Sequence, residues 1–138
     1  MANVLYPVWK QELLQAGANT SLAGTVRQTF VDVTSAYAYS SAHDFVDDLG
    51  ANDNPSYGAT PALAAKTFAN GTFDAADTTT SALSGAAELG GIVLYVDSGS
   101  EGTSRLVQYL DTSITGMPFT PSGGDVTVQW NASGIFTL

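Results

Sequence analysis

Asn70-Gly71 separates two short runs, KTFA (66–69) and TFDA (72–75). Asn-Gly supplies the two positive φ angles of a type I′ turn, whose twist matches that of paired strands. A two-residue turn there sets Phe68 opposite Phe73, a favourable cross-strand aromatic pair. A chain nucleated on such a hairpin, with one helical window elsewhere, is directed toward antiparallel sheets.

The rest of the sequence agrees. TVRQTFVDVT (25–34) is apolar on both faces, as expected of a strand covered on both sides. SAYAYSSAHDFVDDLG (35–50) opens with alternation that puts Tyr37 and Tyr39 on one face. It then predicts a helical turn with Ser41 as cap and Asp44 in its first turn. GANDNPSYGATP (50–61) reads as loop. DTTTSAL (77–83) reads as a Thr-rich strand. GIVLYVD (91–97) and SRLVQYLD (104–111) read as consecutive strands of an antiparallel meander. DVTVQW (125–130) continues it, with Val126, Val128 and Trp130 facing in, and IFTL (135–138) closes it. A terminal apolar strand pairs with its own sheet or a neighbour.

PVWKQELLQA (7–16) is the single clear helical window. Pro7 suits the first turn, Gly17 suits the C-terminal cap, and Trp9, Leu13 and Ala16 fall on one stripe. The expected fold is therefore mainly β: one antiparallel β-sandwich or small barrel of seven or so strands with a short N-terminal helix. It forms a single domain over 1–138, with an N-terminal arm and helix over 1–24 and a β core over 25–138.

Composition narrows the function. Apolar residues make up 44% of the chain, enough for a core, while charged residues make up only 12%. So few charges leave surface to be covered by a partner. There is no cysteine, one histidine (His43) and four cations: Lys10, Arg27, Lys66 and Arg105. Disulfide and thiol chemistry are thereby absent. Four scattered cations in a chain of net charge −9 cannot neutralise a row of phosphates, so no direct nucleic-acid binding is expected. The N-terminus predicts no secretory leader, and no apolar run suggests a membrane partner. Asn-x-Ser/Thr triplets at Asn19, Asn70 and Asn131 then read as chance matches.

Candidate chemistry is sparse. His43-Asp44 joins a histidine to an acid, but no nucleophile-elbow pattern singles out a serine beside them. Asp47, Asp48, Asn52 and Asp53 form an acidic stretch whose spacing does not match the EF-hand pattern, with stabilisation by Ca2+ as the open alternative. Asp74 and Asp77 would need to face each other across a cleft to act on a glycosidic bond; their position after a hairpin suits turn and strand-start roles. SGAAELGG (84–91) lacks the Gly-Lys-Ser/Thr of a phosphate loop. Tyr37, Tyr39, Tyr57, Tyr95 and Tyr109 could form a sugar-binding shelf, or serve as core packing. No catalytic, cofactor or metal residue is assigned.

Several stretches carry a resemblance: ANVLYPVWKQELLQAG, YAYSSAHDFVDDLG, NGTFDAADTTTSAL, and VLYVDSGSEGTSRLVQYLDTSITGMPFTPSGGDVTVQW followed by IFTL. Together they cover most of the chain and resemble a family of small structural proteins of tailed bacteriophages and prophages. The resemblance implies a non-enzymatic virion component without cofactor, of the kind that decorates or cements the capsid exterior. Its implied partners are the major capsid protein and copies of itself, as a homotrimer or homodimer, with synthesis in the host bacterial cytoplasm. The short 50–61 loop and the few charges imply partner contacts that differ from those of relatives. A tail or head–tail connector component is the alternative, and a carbohydrate-binding module or small glycan hydrolase is a second. Leu5, Tyr6, Trp9 and Leu13 are the expected docking segment, with capping of the protein's own core as the competing role. If they dock, Trp9→Ala weakens association more than folding.

Overall fold

The computed structural model describes residues 3–33 and 36–138. Its strands are β1 (Val4–Leu5), β2 (Val26–Val31), β3 (Asp53–Asn54), β4 (Thr67–Ala69), β5 (Thr72–Asp74), β6 (Thr78–Thr80), β7 (Gly91–Val96), β8 (Arg105–Leu110), β9 (Val126–Val128) and β10 (Phe136–Thr137). One α-helix, α1 (Pro7–Leu14), and 3-10 turns at Val46–Asn52 and Glu101–Thr103 complete it. The strands form a five-stranded sheet in the order β1-β8-β7-β2-β3, a three-stranded sheet β10-β5-β4 and a pair β6-β9. All pairings are antiparallel. The mainly β, antiparallel class expected from the sequence is what forms.

The large sheet is built on β2, β7 and β8. Every residue of β7 is buried, and β2 is buried except for half-exposed Arg27. That is why TVRQTFVDVT reads as apolar on two faces. The predicted end of the β2 run, Thr34 and Ser35, lies outside the described residues. Cross-strand register places Phe30, Ile92 and Leu110 in one row, and Gln28, Leu94 and Gln108 in another. The first row belongs to a cluster with Leu83, Leu89, Phe119, Val126 and Val128. A larger cluster gathers Tyr6, Trp9, Tyr37, Leu49, Phe73, Val93, Tyr95 and Leu106. The β7–β8 register shifts between Leu94 and Tyr95, leaving Val107 as the extra residue of a bulge.

The predicted hairpin forms with the predicted register. Phe68 pairs with Phe73, and Asn70 and Gly71 have φ of 51° and 78°. The inward set Val126, Val128 and Trp130 is half-buried, while Asp125, Thr127 and Gln129 are exposed.

Five expectations are corrected. DVTVQW does not extend the meander: β9 pairs with β6, because the 111–125 connection carries the chain off the β8 edge. That edge is already occupied by β1 and by an isolated bridge at Phe45. IFTL likewise joins β5 in the hairpin's sheet. The helical turn starts at Val46, not behind a Ser41 cap. Phe45 is extended and bridges Arg105 of β8, with Val46 N–H donating to Ser104 O and Leu106 N–H to Asp44 O on either side of it. The left-handed cap of α1 is Ala16 (φ 55°), one residue before Gly17. Gly17 N–H returns to Glu12 O at 2.7 Å and Ala16 N–H to Leu13 O at 3.3 Å, a Schellman closure. Ala16 is accordingly exposed, and the predicted stripe ends at half-buried Leu13. Finally, residue 24 is no structural boundary. Val4 and Leu5 pair with Tyr109 and Gln108 in the main sheet, and Trp9 is enclosed in the main core.

Candidate interaction surface

The four expected docking residues divide. Tyr6 and Trp9 are wholly buried, while Leu5 and Leu13 are half-buried. Trp9 Nε1 donates to Thr20 O at 3.0 Å, and its ring meets Phe136 edge-on at 5.9 Å. Tyr6 Oη lies 2.8 Å from Tyr37 Oη, which lies 3.0 Å from His43 Nδ1. Burial followed by the neighbouring Tyr37 pushes the Tyr6 hydroxyl far above the usual tyrosine range, and burial raises Tyr37 to about 12. These side chains satisfy one another inside the fold, so the segment caps its own core. The aromatic residue at a narrow helical stripe signals burial, and the sequence alone does not say in whose core.

His43 is held by Tyr37 through that hydrogen bond and a ring contact at 5.6 Å. The acids serve local backbone. Asp48 Oδ2 accepts from the N–H groups of Asp44 and Phe45, and Asp53 Oδ2 accepts from Tyr57 N–H. Burial raises Asp44 and Asp53 above the ordinary carboxylate value. Asp74 Oδ1 accepts from the adjacent Ala75 N–H, and Asp77 Oδ1 accepts from Trp130 N–H across the β6–β9 pair, so each is bound to backbone and the two do not act together. Among the described residues no three His, Asp or Glu side chains gather in a way that could hold a metal ion. The supposed tyrosine shelf does not exist: Tyr37, Tyr95 and Tyr109 are buried, Tyr39 and Tyr57 half-buried, and Tyr39 stacks on Tyr109 at 5.3 Å.

Three of the four cations are committed internally. Arg27 Nε donates to Asp97 Oδ2 at 2.5 Å and its Nη1 to Thr60 O at 2.6 Å. Arg105 lies 4.5 Å over the Phe45 ring and donates to Ala18 O. Lys66 Nζ donates to the carbonyls of Leu22, Ala23 and Gly24, and its desolvation lowers the ammonium pKa. Lys10 is exposed on α1. Asp97 receives Tyr57 Oη at 2.6 Å and Gly99 N–H at 2.9 Å as well as Arg27. Burial alone would raise its carboxyl, but these donors outweigh burial and hold it below the ordinary value.

Two features remain open at the surface. A groove of about 730 Å³ is floored by Phe30, Ile92 and Leu110 and walled by the 112–119 segment, β9 and Trp130; no ionisable side chain lines it. The second is the outer edge of the hairpin. β4 is exposed along its whole length, and Phe68 is 56% exposed. Leu138 (64%) follows β10 beside the Asn70-Gly71 turn, with its N–H donating to Gly71 O, and Leu14 (89%) ends α1. Sequence reading paired Phe68 correctly but gave no sign that its far side is uncovered. No helix among the described residues is long and apolar enough to cross a membrane. No protein-family profile matches the chain, and no curated protein matches it.

Proposed function

We propose that this chain is a non-enzymatic structural component of a tailed-phage virion. In that reading it is a decoration protein that binds the outside of the major capsid protein lattice and associates with copies of itself. The observation that carries the reading is the disposition of the surface. Three of the four cations, and the acids described above, are spent on contacts within the fold, while uncharged apolar groups, Phe68 above all, stand at an open sheet edge. Such a surface suits packing against another subunit better than it suits binding a charged small molecule. The sequence resemblance to phage structural proteins points the same way. Repetition over a lattice would let individually small contacts act together through avidity.

The test is stoichiometry against the major capsid protein in purified particles. A decoration protein is present in numbers comparable with the capsid subunits. Presence in only a few copies per particle moves the protein to the tail or the head–tail connector, and absence from particles overturns the reading.

A further inference from the structure

We propose that the β4 edge pairs with the β4 edge of a second copy, antiparallel about a two-fold axis through Phe68. The pairing would join two three-stranded sheets into one six-stranded sheet.

The register of the hairpin sets this up. Ala69 and Thr72 flank the two-residue turn and form the hydrogen-bonded pair that closes it. Pairs alternate along an antiparallel ladder, so Phe68↔Phe73 is a non-hydrogen-bonded pair. The N–H and C=O of Phe68 therefore point away from β5, toward the open edge. All three β4 residues are exposed there.

Natural edges are guarded by a lysine, a proline, a bulge or a covering segment. Here the one nearby lysine is turned away: the Lys66 ammonium is bound by three carbonyls of the 22–24 segment. β4 itself, Thr-Phe-Ala, carries neither proline nor charge, and its register with β5 is unbroken. Its shortness is the one guard left, and it makes the contact weak when copies are dilute.

The occupant follows from self-complementarity. Phe68 is the last member of an aromatic row: it stacks on Phe73 at 5.6 Å, Phe73 meets Phe136 at 5.4 Å, and Phe136 meets Trp9 at 5.9 Å. Three members are buried or half-buried, and the row ends in solvent at Phe68. A two-fold axis at Phe68 makes Phe68 and its copy a hydrogen-bonded pair, with both rings on one face. The row then continues into the second molecule. Thr67 falls opposite Ala69 of the copy. In a chain of net charge −9, this edge and its flanks, Lys66 and Asn70, bear no carboxylate. Two copies can meet here without like charges in contact, which most of the acidic surface forbids. An isologous contact of this kind closes as a dimer.

This names the self-contact of the decoration reading and rests on that reading for its setting. The experiment uses the purified full chain, so it fails independently of the particle measurement. Because the chain lacks cysteine, Thr67→Cys and Ala69→Cys can each be made as the sole thiol. Non-hydrogen-bonded opposite positions bring Cβ atoms within about 5 Å, close enough for a disulfide. On mild oxidation the mixture of the two variants is expected to form a covalent dimer at least several-fold more efficiently than either variant alone. The parent chain is expected to show a concentration-dependent monomer–dimer equilibrium by sedimentation. Phe68→Asp is expected to abolish it with an unchanged circular dichroism spectrum, and Phe68→Tyr to retain it. A parent chain that stays monomeric at every concentration overturns the proposal. So does cross-linking no better in the mixture than in the separate variants.

Discussion

Phe68 and Phe73 stack at 5.6 Å across the β4–β5 hairpin, yet Phe73 is 2% exposed and Phe68 is 56% exposed. The pair is nearly symmetric in sequence and asymmetric in burial, because β10 pairs with the far side of β5 and no strand among the described residues pairs with the far side of β4. Phe73→Ala is therefore expected to cost about 3–5 kcal/mol, the usual range for an enclosed phenylalanine. Phe68→Ala should cost the isolated chain under about 1 kcal/mol. Urea unfolding of the two variants at low protein concentration measures the difference, and equal losses would contradict the burial asymmetry.

Trp9→Ala is expected to act on folding first. The indole fills the core beside Phe136 and satisfies Thr20 O. Its removal leaves a cavity and an unpaired buried carbonyl, together about 3–5 kcal/mol. A large fall in the unfolding midpoint checks this. A variant of parental stability that had lost only its association would restore Trp9 to the surface role expected from sequence.

Ala16→Gly should stabilise the protein. Ala16 closes α1 at φ 55° with its methyl exposed, so the methyl contributes left-handed strain and no packing. Relief of that strain, less the added freedom of glycine in the unfolded chain, leaves about 0.5–1 kcal/mol. A raised urea midpoint with an unchanged slope is the expected readout. The reverse change at the neighbouring cap residue, Gly17→Ala, sets a new Cβ against the Glu12 carboxylate and 3.2 Å from Glu12 O, and should not stabilise.

These cases show what was legible. The Asn70-Gly71 hairpin, the doubly covered β2 and β7 and the in–out alternation of β9 are readable because each is specified by local chemistry: a turn dipeptide, apolar residues on both faces of a run, a period of two. Partner choice is not. β9 presents the same alternation whether it pairs with β8 or β6, and only the competition for the β8 edge by Val4–Leu5 and Phe45 decides it. The same holds for the surface. Trp9 and Phe68 are both aromatic residues in short amphipathic elements. Which one ends in the core depends on long-range packing of β10 that no nearby residue announces.

Asp97→Asn should destabilise the chain at neutral pH and lose its effect in acid. Asp97 binds Arg27, Tyr57 and Gly99 N–H, and these donors hold its carboxyl below the ordinary value. A carboxyl with a lowered folded pKa adds stability above its unfolded pKa, near 3.9, and that contribution disappears as pH falls through the folded value. The cost at pH 7 is about 2 kcal/mol, as expected for charge-assisted bonds. Asp44 and Asp53, raised by burial, act with the opposite sign and gain stability as pH falls through their folded values. The gap between parent and Asp97→Asn should therefore narrow on acidification although both proteins carry those two groups. A gap independent of pH would show that the carboxylate charge is not what Asp97 contributes.

Alkaline stability follows from the tyrosines. All six are raised above the ordinary value, burial being the first cause in each; Tyr37 and Tyr95 reach about 12, and Tyr6 and Tyr109 lie beyond that range. A folded pKa above the unfolded one, near 10, means that the native state keeps protons the unfolded chain has lost. Stability is then fully present below pH 10 and falls as pH rises past it. Tyrosine ionisation followed by near-ultraviolet absorbance is expected to be delayed past the ordinary range. Most of it should arrive in one cooperative step coincident with loss of the far-ultraviolet signal. Denaturant should restore an ordinary titration near pH 10. Phenolate formation by most of the tyrosines near pH 10 with the sheet intact would mean that the Tyr6, Tyr37 and Tyr109 cluster is open to water, contrary to its burial.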